Sequence, residues 1–246
     1  MISILIPIHN GIEYIDESVN SVLEQTYQDW ELLIGVNGHQ PNSIEYRIAK
    51  EYEACDTRIH VLDMHDIKGK SNALNIMLKQ CKYDWIAILD VDDIWFPTKL
   101  EKQIPLLESY DVVGTQCVYF ENMEGINPKI PFGDISYFDF KTVNPVINSS
   151  VVLRKELANW NYDFDGVEDY DLWLRLRYKN KRFYNIEDVL VKHRIHQTSA
   201  FNSQNQQHKI STIKQNFDSG YSANNSNDSD SDSNNITIDI IDSVDE

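Results

Sequence analysis

Trp85-Ile86-Ala87-Ile88-Leu89-Asp90-Val91-Asp92-Asp93-Ile94-Trp95-Phe96-Pro97 is an apolar run that ends in three carboxylates. The apolar part reads as a buried strand, and mutually repelling charges at the tip of a core strand are costly to fold around. In an open α/β sheet the carboxyl ends of the strands are also where ligands bind. Acids at that tip imply a metal, and a metal there implies a phosphate-bearing substrate. The competing account is that the acids cap a helix starting near Pro97. A bare Asp-x-Asp is common by chance, and only the position at a strand tip favours the metal.

The stretches upstream supply the rest of a sheet. Ile2 to Ile8 is β-rich and runs into a His9-Asn10-Gly11 turn. Ile12, Ile15, Val19 and Val22 recur at helical spacing between Ile12 and Thr26. Trp30 to Val36 and Arg58 to Leu62 read as further strands, with helices over Ile44 to Ala54 and Gly69 to Lys79. Strands alternating with helices imply a doubly wound α/β fold with a mainly parallel sheet covered on both faces. Residues 1–100 form a nucleotide-binding half on this pattern. Downstream, a helix from Pro97 to Ser109 and strands at Asp111 to Phe120 and Asn148 to Leu153 flank an irregular stretch, 121–146. A helix over Asp163 to Tyr178, two short strands (Lys181 to Asn185, Val189 to Ile195) and a last helix from Gln204 to Phe217 complete an acceptor-binding half, 101–217. Together they make one domain, 1–217.

The chain has 246 residues, 41% of them hydrophobic, as expected for a globular protein. Its net charge of −17 excludes a non-specific nucleic-acid binder, which needs a basic face. Eight acidic residues and no basic ones lie between Asp218 and Glu246, so the preceding part carries −9. That Asn/Ser/Asp-rich segment, 218–246, has the composition of a disordered tail. Cys55, Cys81 and Cys117 are odd in number with no Cys-x-x-Cys spacing, which reads as reduced thiols. No secretory leader and no run of roughly 18–20 apolar residues is visible, so the expectation is a cytoplasmic protein without an integral membrane segment. A homodimer is compatible with this composition.

Beyond the strand tip, Asp90-Val91-Asp92 suits Mg²⁺ or Mn²⁺, which take oxygen ligands and share them with phosphate. Glu168-Asp169 opens a helix and either supplies a general base or merely complements the helix dipole. Gly69-Lys70-Ser71 starts a helix whose amides, with Lys68 or Lys70, can meet a phosphate. Helix capping explains it equally well, and the P-loop spacing is absent. His193-Arg194-Ile195-His196 is either a metal or phosphate contact or a structural strand.

In order along the chain, Ser3-Ile4-Leu5-Ile6-Pro7-Ile8-His9-Asn10, Ser21-Val22-Leu23-Glu24-Gln25-Thr26-Tyr27, Trp30-Glu31-Leu32-Leu33-Ile34, Gly69 to Asn75, Leu89 to Asp93, Glu168 to Trp173 and Arg194-Ile195-His196 stand out. This ordered set resembles the family 2 glycosyltransferases with the GT-A fold. The resemblance implies transfer of a sugar from a nucleotide-diphosphate donor, a UDP-sugar first of all, to a hydroxyl of a glycan, protein or lipid-linked acceptor, with inversion. Pro7 and His9 are then expected beside the base. Asn10, Glu13, Asn37, Lys70, Asn75 and Val91 are expected elsewhere in the donor site, with Asp90 at the ribose or sugar. Asp92 is expected to ligate Mn²⁺ or Mg²⁺, with His196 at the metal or diphosphate. Asp169 is expected to be the general base, Glu168 and Trp173 to shape the acceptor pocket, and Asp93 to cap the helix that follows.

The chain departs from the family pattern at one point. Gly35-Val36-Asn37-Gly38-His39 stands where the family commonly has Val-Asp-Asp-Gly-Ser. The resemblance thus implies that Asn37, rather than an Asp, accepts the base N–H, and an amide oxygen accepts it without charge assistance. A binding module without turnover and a nucleotidyltransferase are the competing functions. The first releases no product, and the second releases pyrophosphate rather than a nucleoside diphosphate.

Overall fold

The computed structural model describes residues 1–196 and 206–221. Four strands, β1 (Ile2–Ile8), β2 (Trp30–Asn37), β3 (Ile59–Met64) and β4 (Trp85–Ile88), pair in parallel in the order β3-β2-β1-β4. Every residue of β1 and β2 is buried. This follows from their uninterrupted apolar sequence, since a parallel sheet is covered on both faces. Side chains alternate between two cores. Ile2, Ile4, Ile6, Ile8, Leu32 and Ile34 pack against helices α1 (Ile15–Leu23) and α2 (Ile44–Lys50). Leu5 and Leu33 face the opposite layer, with α3 (Lys70–Gln80) and α5 (Glu168–Tyr178).

The second half extends the same sheet. β8 (Val152–Arg154) joins β4 antiparallel, β6 (Val112–Glu121) joins β8 antiparallel, and β9 (Phe183–Ile195) runs parallel to β6. Two reversals restore the original direction, so β4, β6 and β9 all end at one edge of the sheet. Residues a hundred positions apart are thereby delivered to one place. β5 (Ile94–Trp95) and β7 (Gly133–Asp134) pair antiparallel with β9. A short helix α4 (Lys99–Gln103) and a last helix α6 (Gln207–Asp218) complete the fold.

Several boundaries differ from the sequence expectation. The two strands expected over 181–195 are one, because the ladder steps from Thr115–Ile186 to Gln116–Val189 and ejects Glu187 and Asp188 as an irregularity. The polar pair looks like a break in sequence but is only a bulge in space. Asn148–Ser150 is a 3₁₀ turn rather than the start of a strand. Ile94 and Trp95 add a strand where none is expected, which separates Asp93 from α4. The helix expected from Gln204 begins within the described residues at Gln207. Of the 218–246 tail, residues 222–246 lie outside the described residues.

Helix α3 is clamped to the chain that leads into α5. The Asn75 side chain accepts from the Trp160 N–H at 3.0 Å and donates to the Trp160 carbonyl at 2.7 Å. Both halves of the expected donor-site amide are therefore spent on backbone. Asn75→Ala leaves two backbone groups unpaired beside a buried tryptophan, and should lower the unfolding free energy by about 2 kcal/mol. A shift of the urea midpoint at unchanged slope checks this.

Candidate active site

The three acids at the end of β4 are not equivalent, because each meets a different partner. Asp90 pairs with the Lys70 ammonium at 2.5 Å, and the Asn148 amide donates to both of its oxygens at 3.3 and 3.2 Å. Burial pushes the Asp90 carboxyl up, but Lys70 and Asn148 hold it below the ordinary range. Asp92 meets His196, with Oδ2 and Nε2 2.8 Å apart. Burial, then the neighbouring charges of Asp93 and Asp90, raise the Asp92 carboxyl.

Asp93 is wholly buried and accepts from the Arg194 N–H at 2.8 Å and from His193 Nδ1 at 2.9 Å. It therefore does not cap the following helix; the strand β5 carries the chain away and turns Asp93 toward β9. Burial alone would lower the His193 pKa, but Asp93, aided by Asp90 and Asp92, lifts it to about 9. The ring is cationic at neutral pH. Arg194 finishes the arrangement: Nε donates to the Asp92 carbonyl at 2.7 Å, and the terminal nitrogens pair with Glu17 and Glu121. Its guanidinium lies between the rings of Tyr14 and Phe120.

Lys70 also reaches Glu168, 3.5 Å away at the first turn of α5. One ammonium thus joins the β4 tip to the helix that carries Asp169. Glu168 is buried and accepts the Gly166 N–H at 2.6 Å. Asp169 accepts from the Asn144 amide at 2.9 Å. Burial and the adjacent Glu168 push the Asp169 carboxyl up to about 6, against the opposing pull of Lys70 and Asn144.

At the ends of β1 and β2, His9 Nδ1 lies 3.0 Å from the Asn37 carbonyl and His39 Nε2 2.6 Å from the His9 carbonyl. Gly38 has φ of 74°, and a side chain there would crowd the His9 ring. Asn37 is 2% exposed and its amide donates to the Ile67 carbonyl at 3.3 Å. Asn10 and Glu13 are exposed beside this turn, whereas Pro7 and Val91 are buried.

The remaining expected positions are committed to the interior. Trp173 has no exposure and packs edge-on to Phe183 in the core, so it supports α5 from behind and does not line the cleft. The start of α3 takes the capping role left open in the sequence. Asp165 accepts the Ser71 N–H at 2.9 Å, filling the anion slot that a phosphate would use. Asn144, Asn148 and Arg194 were not singled out as contacts to the acids. Asn148 begins a polar Asn-Ser-Ser run before an apolar strand, a usable signal; Asn144 carries none.

A family profile described as Glycosyl transferase family 2 matches residues 3–202. The chain belongs to that family. It is similar to the O-antigen biosynthesis glycosyltransferase WbnJ of Escherichia coli, with 32% identity over 81% of this chain and 82% of WbnJ. It is also similar to the E. coli UDP-Glc:alpha-D-GlcNAc-diphosphoundecaprenol beta-1,3-glucosyltransferase WfgD, with 33% identity over 81% and 79%. S. aureus TarS 1-349, solved with UDP-GlcNAc, superposes with a TM-score of 0.69 at 16% identity, over 89% of this chain and 66% of that one. The mannosyltransferase PcManGT of Pyrobaculum calidifontis, solved with GDP-Man and Mn²⁺, gives 0.63 at 15% identity, over 81% and 58%. These neighbours share the mixed, curled GT-A sheet.

The Asp92 carboxylate oxygen and the His196 imidazole nitrogen, 2.8 Å apart, are the pair that could hold a divalent metal. Among the described residues no group of three or more His, Cys, Asp or Glu converges on one point. A two-donor set fits Mg²⁺ or Mn²⁺, which complete their shells with phosphate and water.

Lys70→Met leaves Asp90 and Glu168 facing each other without a cation. Partial exposure of the pair tempers the loss to about 2 kcal/mol at pH 7. Asp90 is held below its unfolded pKa, so its share of stability is present at neutral pH and lost in acid. The gap in Tm between wild type and Lys70→Met should therefore close as the pH is lowered toward about 3.

Proposed function

We propose that this glycosyltransferase transfers a sugar from a UDP-sugar to an acceptor hydroxyl with inversion, using Asp169 as the base. The observation that carries this reading is the Lys70 bridge. It joins Asp90, a carboxylate held below the ordinary range, to Glu168, the neighbour of Asp169, whose carboxyl is raised to about 6. Two acids with pKa values pushed apart are the mark of divided roles. The UDP-linked name of WfgD and the UDP-GlcNAc complex of TarS favour uridine as the donor base.

Asp169 takes the proton of the acceptor hydroxyl as its oxygen bonds to the anomeric carbon. The bond from that carbon to the diphosphate breaks on the opposite face, and the nucleoside diphosphate leaves with the electron pair. Asp92 and His196 would hold a Mn²⁺ or Mg²⁺, which would supply Lewis-acid stabilisation to the diphosphate. Asp90 orients the ribose or the sugar from the strand tip. His9, with Pro7 behind it, flanks the base, and Asn10 and Glu13 border that end of the cleft. Glu168 shapes the acceptor side. The name of WfgD, a diphosphoundecaprenol-linked acceptor, makes a lipid-linked sugar the acceptor to try first.

Asp169→Asn should reduce turnover by about 10²–10⁴-fold while the donor still binds. Wild-type kcat/KM should fall as the pH drops below about 6, where Asp169 takes up its proton. Stability runs the other way. The folded carboxyl keeps its proton to about 6 and the unfolded one releases it near 4, so stability declines as the pH rises between them. Asp169→Asn should accordingly be more stable than wild type at pH 7, by about 1 kcal/mol after allowing for partial exposure. A variant both inactive and destabilised would show a structural acid instead.

A panel of nucleotide sugars in a thermal-shift assay should raise Tm for one donor, and only with Mn²⁺ or Mg²⁺ present. Asp92→Ala should abolish the metal-dependent part of that shift.

A further inference from the structure

We propose that Asn144 is a positioning residue for the reaction: its amide N–H holds one oxygen of Asp169, so that the other is aimed at the acceptor. The inference rests on Asp169 being the base. Asn144 Nδ2 donates to Asp169 Oδ2 at 2.9 Å, and Asn144 Oδ1 accepts the Val146 N–H at 3.3 Å. This turn settles which end of the amide faces the carboxylate. Flipping it would set an oxygen against Asp169 and an NH₂ against an N–H.

The loop that delivers Asn144 is held on both sides. Before it, the Phe140 carbonyl accepts from the Tyr170 hydroxyl at 2.7 Å, and Tyr170 adjoins Asp169 on α5. After it, the Pro145 carbonyl accepts from the buried Asn185 amide at 2.7 Å. Phe140 and Val146 are each 1% exposed. Loop and base are therefore registered by four side chains rather than by Asn144 alone. A hydrogen bond from such a fixed donor to one carboxylate oxygen both orients the group and favours its ionised form.

The charged and titratable groups around Asp169 are Glu168 and Tyr170 on α5 and Lys70 on α3, with Asp90 beyond the lysine. Glu168 raises the Asp169 carboxyl, while Lys70 and Asn144 lower it. Asn144 is the only neutral side chain among these that donates to it. Changing Asn144 thus alters the base without changing the net charge of the ion-pair bridge.

The test uses the full chain labelled with carbon-13 at aspartate carboxyls. Its Asp169 signal is identified by its loss in Asp169→Asn, and its titration requires no substrate. Wild type should titrate near 6. Asn144→Ala should move the midpoint up by about half to one pH unit. Asn144→Asp keeps the turn to the Val146 N–H but replaces the donor with a carboxylate, and should move it up by more than about one unit. If Asn144 only holds the loop, Asn144→Ala titrates as wild type and the inference is overturned.

Release of UDP from UDP-glucose with Mn²⁺ supplies the second readout. In Asn144→Ala, kcat at pH 7 should fall about tenfold with donor KM unchanged. Full turnover in Asp169→Asn would overturn the base assignment and this inference with it. An inactive Asp169→Asn beside an Asn144→Ala variant that titrates as wild type would overturn this inference alone.

Discussion

Three carboxylates within four residues must be held at the end of one buried strand, and the second half of the fold answers that constraint. Asp90 takes Lys70 from α3, Asp92 takes His196, and Asp93 takes His193 and the Arg194 backbone from β9. Without β9 returning parallel to β4 at the same edge, two of the three acids would face each other undischarged. The arrangement is graded as well as neutralised. Asp93 is sealed and structural, Asp90 is locked in its ionised state, and Asp92 keeps part of its surface and a raised affinity for positive charge.

Lys70 extends this order across the cleft. The ammonium that stabilises Asp90 also contacts Glu168, and so sets the distance between the strand tip and the start of α5. Asp169 lies just outside its reach, where burial and Glu168 outweigh it. The same cation thus separates an acid that stabilises the fold at neutral pH from one that destabilises it. An ionised, desolvated carboxylate next to another acid is poor for stability. The cost is confined to one residue by the clamps around it, namely Asn75 on Trp160, Asp165 on Ser71 and Tyr170 on Phe140.

Much of this was legible before any coordinates. The unbroken apolar runs of β1, β2 and β4 pointed to a parallel sheet, and the three acids after Leu89 stand at the end of β4. What misled was local polarity. Glu187-Asp188 looked like a break between strands but is ejected from a continuous ladder. Asp93 looked like a helix cap but turns inward, because Ile94 and Trp95 pair with β9 first. Trp173 and Asn75 sit in motif positions yet serve the packing that presents the site.

By itself the sequence determined the fold class, the family and the three acidic positions at the strand tip, since periodicity and motif order are properties of neighbouring residues. Only the tertiary structure decided which acid meets which partner, that one lysine links Asp90 to Glu168, and that Asn144 reaches Asp169. Those contacts join residues 20 to 104 positions apart. They depend on strand direction and loop anchoring, which no local pattern of side chains encodes.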